Sequence, residues 1–105
     1  MGEALIVEDE IGTAQLLAEL LKRHGLEPSI VTEGEPALTW VRAHQPELVL
    51  LDLMLPDIDG FTVCEMLKLD RETNLVPIIM VTALDEHQHK VHGFKIGRAS
   101  CRERV

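Results

Sequence analysis

A chain of 105 residues that is 46% hydrophobic is the size of one domain with a core of its own, which excludes a two-domain reading. Ten Lys and Arg against eighteen Asp and Glu give a net charge of −8, so neither direct nucleic acid binding nor attachment to an anionic membrane is expected of it. Two cysteines far apart in sequence, Cys64 and Cys101, build neither a disulfide framework nor a paired-thiolate zinc site, and with no basic leader and no apolar run of spanning length a cytoplasmic setting is expected.

Residues 4–7 are a short apolar run that stops at Glu8, Asp9 and Glu10, which predicts a buried strand opening onto an acidic cluster. Ile11, Ala14, Leu17, Ala18 and Leu21 then recur at helical spacing, and Lys22, Arg23 and His24 before Gly25 supply a cationic last turn and a stop. Residues 28–32 predict a second, weaker strand. Gly34, Glu35 and Pro36 start a helix reaching about residue 43, with Pro36 suited to the first turn. Residues 48–51 are hydrophobic at successive positions, as a parallel strand covered on both faces requires, and Asp52 ends the run. A loop through Pro56, Asp57, Ile58, Asp59 and Gly60 leads to a helix with Phe61, Cys64 and Leu67 on one face. A fourth apolar strand over residues 76–81 ends at Thr82, and a last helix is expected over residues 86–95 with Val91 and Phe94 inward.

This alternation implies an α/β fold, a parallel sheet with helices on both faces, in which ligands bind beyond the carboxyl ends of the strands. Glu8 and Asp9, Asp52 and Thr82 stand at three of those ends. Carboxylates gathered there repel one another unless a hard cation lies between them, and an all-oxygen donor set selects Mg²⁺ or a relative. A strand-end carboxylate beside such an ion can attack a phosphoryl group, with Thr82 adding a hydroxyl donor, and Asp52 is the candidate nucleophile. The bland reading, a solvated turn and helix cap, suits the triplet 8–10 taken alone. It does not suit Asp52, because a charge directly after four buried aliphatics is costly without a task.

The segments Leu5-Ile6-Val7-Glu8-Asp9-Glu10, Leu48 to Gly60 with Asp52, Pro56 and Gly60, and Pro77-Ile78-Ile79-Met80-Val81-Thr82-Ala83 resemble the receiver domain of bacterial two-component response regulators over nearly all of the first 95 residues. The resemblance implies a flavodoxin-like (CheY-like) doubly wound sheet of order 2-1-3-4-5. It further implies that Asp52 accepts phosphoryl from a sensor histidine kinase or phosphotransfer protein, without the chain being a conventional enzyme. Asp9, Asp52 and the backbone carbonyl of Met54 would hold Mg²⁺, with Glu8 acting mainly through water. Thr82 would be the switch hydroxyl, Ala83 a phosphoryl-contacting position, and dimerisation a property of a full-length parent.

After the fourth helix the resemblance stops. Family members continue into a fifth strand with an aromatic switch residue and a Lys-Pro pair. Here residues 96–105 place Cys101 in the aromatic register and Arg104, a planar fork rather than a point-charge ammonium, in the lysine register. This basic segment, three Arg against one Glu, matches the in-frame translation of a common sequencing-library adapter at every position. The expected division is therefore an incomplete receiver domain over residues 1–95 and a non-native tail over 96–105. The expected consequence is a fourth strand with a bare outer edge and a chain of poor solubility.

Other classes fit less well. A haloacid-dehalogenase-type phosphohydrolase needs a second Asp where Met54 stands, and a flavodoxin needs a phosphate-cradling loop where Glu8, Asp9 and Glu10 would repel phosphate. The remaining alternative is a pseudo-receiver, an interaction module not regulated by phosphorylation. His87, His89 and His92 do not share one helix face and predict a solvated surface. Cys64 reads as a small buried hydrophobe and Trp40 as partial core.

Overall fold

The computed structural model describes residues 2–83 and 94–98. Eight elements follow in order: β1 (Gly2–Val7), α1 (Ile11–Arg23), β2 (Leu26–Val31), α2 (Gly34–His44), β3 (Leu48–Asp52), α3 (Gly60–Leu69), β4 (Ile78–Ala83) and β5 (Phe94–Arg98). They form one sheet of order β2-β1-β3-β4-β5, in which the first four strands are parallel.

Strand alternation divides the core in two. Leu5, Val7, Val49, Leu51 and Ile78 face α2 and α3, meeting Ala37, Val41, Val63, Cys64 and Leu67. Ala4, Ile6, Leu50 and Val81 face α1 through Ala14, Leu17 and Leu21. The successive apolar positions of β1 and β3 are thus buried on both faces, which fixes these strands at the centre of the sheet. Helix α1 stops at its predicted place, with Gly25 at φ +81° in the left-handed region that an L side chain resists. In α3 Cys64 and Leu67 face inward as predicted, but the third inward side chain is Val63, and Phe61 is 38% exposed. Trp40 is half-buried against the α2–α3 core and stacks on His44 at 3.9 Å between ring centroids.

Two expectations are corrected here. Phe94 and Lys95 lie in β5, not in a helix, and β5 pairs antiparallel with β4, joining Ala83 to Phe94 and Ile79 to Arg98. The outer edge of β4 is therefore paired from Ile79 to Ala83 rather than bare, against the reason given for poor solubility. Only residues 84–93 separate the two strands, fewer than a parallel crossover needs, whereas an antiparallel return fits. The pairing is backbone to backbone and asks little of the side chains, so even this basic segment can supply it. The rest of the predicted last helix, with Val91 and the three histidines, lies outside the described residues, as do Cys101 and Arg104. Cys64 is buried as expected, but it is disulfide-bonded rather than a free thiol.

Candidate functional site

Strand β1 and strand β3 are neighbours, with Val7 opposite Leu51, so the residues that follow, Glu8 and Asp52, emerge at the same level of the sheet. Asp52 is itself paired with Val81 of β4, one residue before Thr82. Glu8, Asp9 and Asp52 each bring a carboxylate oxygen to within 4.8 Å of the others, the one such group of metal-ligating side chains among the described residues. Glu8 and Asp52 are only 6% and 8% exposed, and Asp9 is open to solvent.

The acidic triplet after β1 divides its labour. Glu10 is the cap of α1: its Oε1 accepts from the Thr13 N–H at 3.1 Å and from the Thr13 hydroxyl at 2.8 Å. Glu8 turns inward, and its Oε2 accepts from the Glu10 N–H at 3.1 Å. The bland reading of the triplet thus holds for Glu10 and fails for Glu8.

Electrostatics follow from this burial. Loss of water raises the Glu8 carboxyl from its ordinary value to about 7, the Glu10 N–H partly opposes the rise, and the charges of Asp52 and Asp9 add to it. Asp52 is also raised, by desolvation first and by Asp9 after it, while the Met54 N–H at 3.4 Å on its Oδ1 and a hydrogen bond with Glu8 hold it down. Two buried carboxyls pushed upward by the same neighbourhood form a site short of positive charge. Their donor set, oxygen only, is that of a hard divalent cation, so the residues fit Mg²⁺.

The loop after β3 is closed at its base. Met54 and Asp59 form an isolated antiparallel bridge, and the Gly60 N–H donates to the Leu53 carbonyl at 2.9 Å. A side chain at Gly60 would collide with the Asp52 carbonyl oxygen and come within 2.7 Å of the Leu53 Cα, so glycine is required for the start of α3 to lie against the end of β3. Asp59 caps α3 by accepting from the Phe61 N–H at 3.1 Å. Met54 is 74% exposed beside the site. Thr82 and Ala83 are placed by their backbone at the carboxyl end of β4, adjacent to that of β3.

One residue of this region went unassigned in the sequence. Asp57 caps a helix other than its own: its Oδ1 accepts from the Gly34 N–H at 2.7 Å and its Oδ2 from the Glu35 N–H at 2.9 Å. The signal was a negative one. Glu33, a poor cap, precedes α2 and makes no side-chain capping bond, so the orphan N–H groups of that helix had to find an acceptor elsewhere.

Among the described residues no helix is long and apolar enough to cross a membrane. The sequence profile described as response regulator receiver domain matches residues 4–101. The chain is 45% identical over 97 residues to the sensory transduction protein RegX3 of Mycobacterium bovis, covering 92% of this chain and 41% of that protein. It is 42% identical over 93 residues to the transcriptional regulatory protein BaeR of Escherichia coli, covering 89% and 38%. It thus spans about two fifths of the length of the curated relatives it matches. Among solved structures, the activated N-terminal receiver domain of RstA from Klebsiella pneumoniae superposes with a TM-score of 0.70 at 34% identity, over 79% of this chain and 68% of that one. A sensor protein from Polaromonas superposes with a TM-score of 0.74 at 30% identity, over 81% and 68%. With a sheet of matching order, an acidic cluster at its carboxyl edge and this profile over nearly the whole sequence, the chain belongs to the response regulator receiver domains of two-component systems.

Proposed function

We propose that this domain is a phosphoacceptor: Asp52 takes a phosphoryl group from the phosphohistidine of a sensor histidine kinase or phosphotransfer protein in the cytoplasm. The observation that carries the reading is the buried Asp52 carboxylate at the end of β3, gathered with those of Glu8 and Asp9. An Asp52 Oδ forms the new bond to phosphorus as the phosphorus–nitrogen bond of the donor breaks, leaving an aspartyl phosphate and a neutral imidazole once a proton is taken up.

Asp9, Asp52 and the Met54 carbonyl are the proposed Mg²⁺ holders, with Glu8 acting through water. The ion, when bound, supplies charge neutralisation for the phosphoryl oxygens. The buried walls exclude bulk water from Asp52, and the Met54 N–H orients its Oδ1. Thr82 and Ala83 border the space where the new group would lie, with Thr82 as the proposed switch hydroxyl. The names of the relatives, regulators of transcription among them, support a transcriptional output in a longer protein, where dimerisation would also belong.

Intact-mass measurement after incubation with acetyl phosphate and Mg²⁺ tests this. One phosphoryl adduct, mapped to Asp52 and lost on chelation, is expected. A chain that stays unlabelled under conditions that label other receivers would instead be an interaction module not regulated by phosphorylation.

The phosphoryl group should be long-lived. Hydrolysis needs a water held in line with the phosphorus–oxygen bond, and the exposed Met54 thioether beside the site is too weak an acceptor to hold one. Met54→Asn is expected to shorten the lifetime of the labelled protein about tenfold, followed as loss of the adduct mass with time. An unchanged lifetime would place the control of hydrolysis elsewhere.

A further inference from the structure

We propose that Asp57 is a positioning residue for the metal site: by capping α2 from the far side of the β3–α3 loop, it sets the place of Met54 and hence of one Mg²⁺ ligand. The proposal rests on the reading of Asp52, Asp9 and Met54 as the metal holders.

The loop 53–59 has two anchorages of different kinds. Its base is shut by the Met54–Asp59 bridge and the Gly60 to Leu53 hydrogen bond. Its tip, residues 56–58, is held against another part of the molecule. There both oxygens of Asp57 are engaged, one by the Gly34 N–H at 2.7 Å and one by the Glu35 N–H at 2.9 Å. These donors are the first N–H groups of α2, where the helix dipole favours a carboxylate. The same two bonds hold the Asp57 carboxyl below the usual carboxylate range.

Packing repeats the contact independently. A Cβ added at Gly34 would come within 2.7 Å of Ile58 Cγ1 and 2.8 Å of Val63 Cγ2, so the loop residue next to Asp57 lies directly on the glycine that Asp57 caps. Gly34 is helical and has no positive φ, so the glycine serves close approach rather than a special backbone conformation. Capping bond and bare glycine together form a latch between α2 and the loop that follows Asp52. Met54 is itself part of the base bridge, three residues before Asp57, and its partner Asp59 lies two residues after Asp57, so the latch bears on both strands of that bridge from the tip between them. With the latch open, the short two-residue bridge alone holds Met54, and its carbonyl is held less firmly. A ligand held loosely binds its ion less tightly, as with other groups that orient metal ligands from behind.

Isothermal titration with Mg²⁺ alone, well below the melting temperature of each protein, separates positioning from plain stabilisation, because every variant is then folded. Asp57→Ala should weaken Mg²⁺ about tenfold, and Asp57→Asn, which keeps one acceptor oxygen, should fall between it and the parent. Gly34→Ala reaches the latch from the other side. It replaces glycine by the best helix former, yet should also weaken Mg²⁺, because its methyl pushes Ile58 away. Should Asp57→Ala prove too unstable to titrate, the Asn and Gly34 variants carry the test. Parent-like Mg²⁺ affinity in Asp57→Ala or in Gly34→Ala, with only a lower melting temperature, would overturn the proposal and leave Asp57 as a helix cap. Failure of the parent to take Mg²⁺ would overturn the metal reading itself, and the positioning role with it.

Discussion

Replacing Asp52 with Asn is expected to abolish phosphoryl labelling and, in the same protein, to make the metal-free domain more stable. Loss of labelling follows from chemistry: a carboxamide oxygen is no nucleophile toward phosphorus under these conditions, and Asp9, the other carboxylate at the site that is open to solvent, does not stand at the end of β3. The gain in stability follows from the geometry. Asp52 and Glu8 are both buried, and their carboxylates lie within 4.8 Å of each other and of Asp9. Two unit charges about 5 Å apart at an effective dielectric constant of about 20 repel by about 3 kcal/mol. Protonation of Glu8 already relieves part of that, so the Asn variant should gain on the order of 1–3 kcal/mol in urea unfolding near neutral pH. Asn also keeps an acceptor for the Met54 N–H. A variant as stable as the parent would mean that the three carboxylates are not a strained group, and the case for a cation between them would fall with it.

Most of the sheet was legible because its signals are redundant. Residues 4–7 and 48–51 are apolar at every position, and a strand with no polar face can only be buried on both sides, which made β1 and β3 central before their pairing was known. The site was legible for the same reason in reverse: Asp52 interrupts such a run where no buried charge is tolerated without purpose. Three things were not legible. Which of Glu8, Asp9 and Glu10 would turn inward depends on the entry angle of α1, and Glu10 was drawn off by Thr13. The inward face of α3 depends on where that helix begins, and a start at Gly60, pressed on the Asp52 carbonyl, brings Val63 inward and leaves Phe61 half-exposed. Residues 94 and 95 were read as the end of the preceding helix and residues 96–98 as tail, yet the edge of β4 offers five residues of backbone pairing, and that long-range demand overrides local pattern. Asp57 belongs to the same class, since its partners lie 22 and 23 residues away.

Without a divalent cation, the folded domain should lose stability as pH rises between about 4.5 and 7, the reverse of ordinary acid denaturation. The sign comes from Glu8. Its carboxyl titrates at about 7 when folded and at its ordinary value of 4.5 when not, so between these values the folded state holds a proton that the unfolded state has released. Stability linked to this group is therefore complete below 4.5 and is lost as pH passes through 7. A full shift of this size corresponds to about 3 kcal/mol as an upper bound, or somewhat more than 10 °C in melting temperature for a domain of this length. Asp52, raised in the same direction, adds to the trend. Asp57 and Asp70 are lowered by their hydrogen bonds, the first to α2 and the second to Arg42, and their contributions vanish only at pH values below 3.8, outside the window. Mg²⁺ competes with the proton for the same oxygens. Saturating Mg²⁺ should leave the melting temperature unchanged near pH 5 and raise it at pH 7.5, where a hundredfold excess over Kd adds about 3 kcal/mol of stability, flattening or reversing the pH slope. Thermal melts at pH 5.0, 6.0 and 7.5, with Mg²⁺ and with chelator, distinguish the cases. A metal-free domain whose stability does not change across that range would show that Glu8 is not held protonated by its burial, and an equal Mg²⁺ effect at both ends would show that the ion binds somewhere other than on these carboxylates.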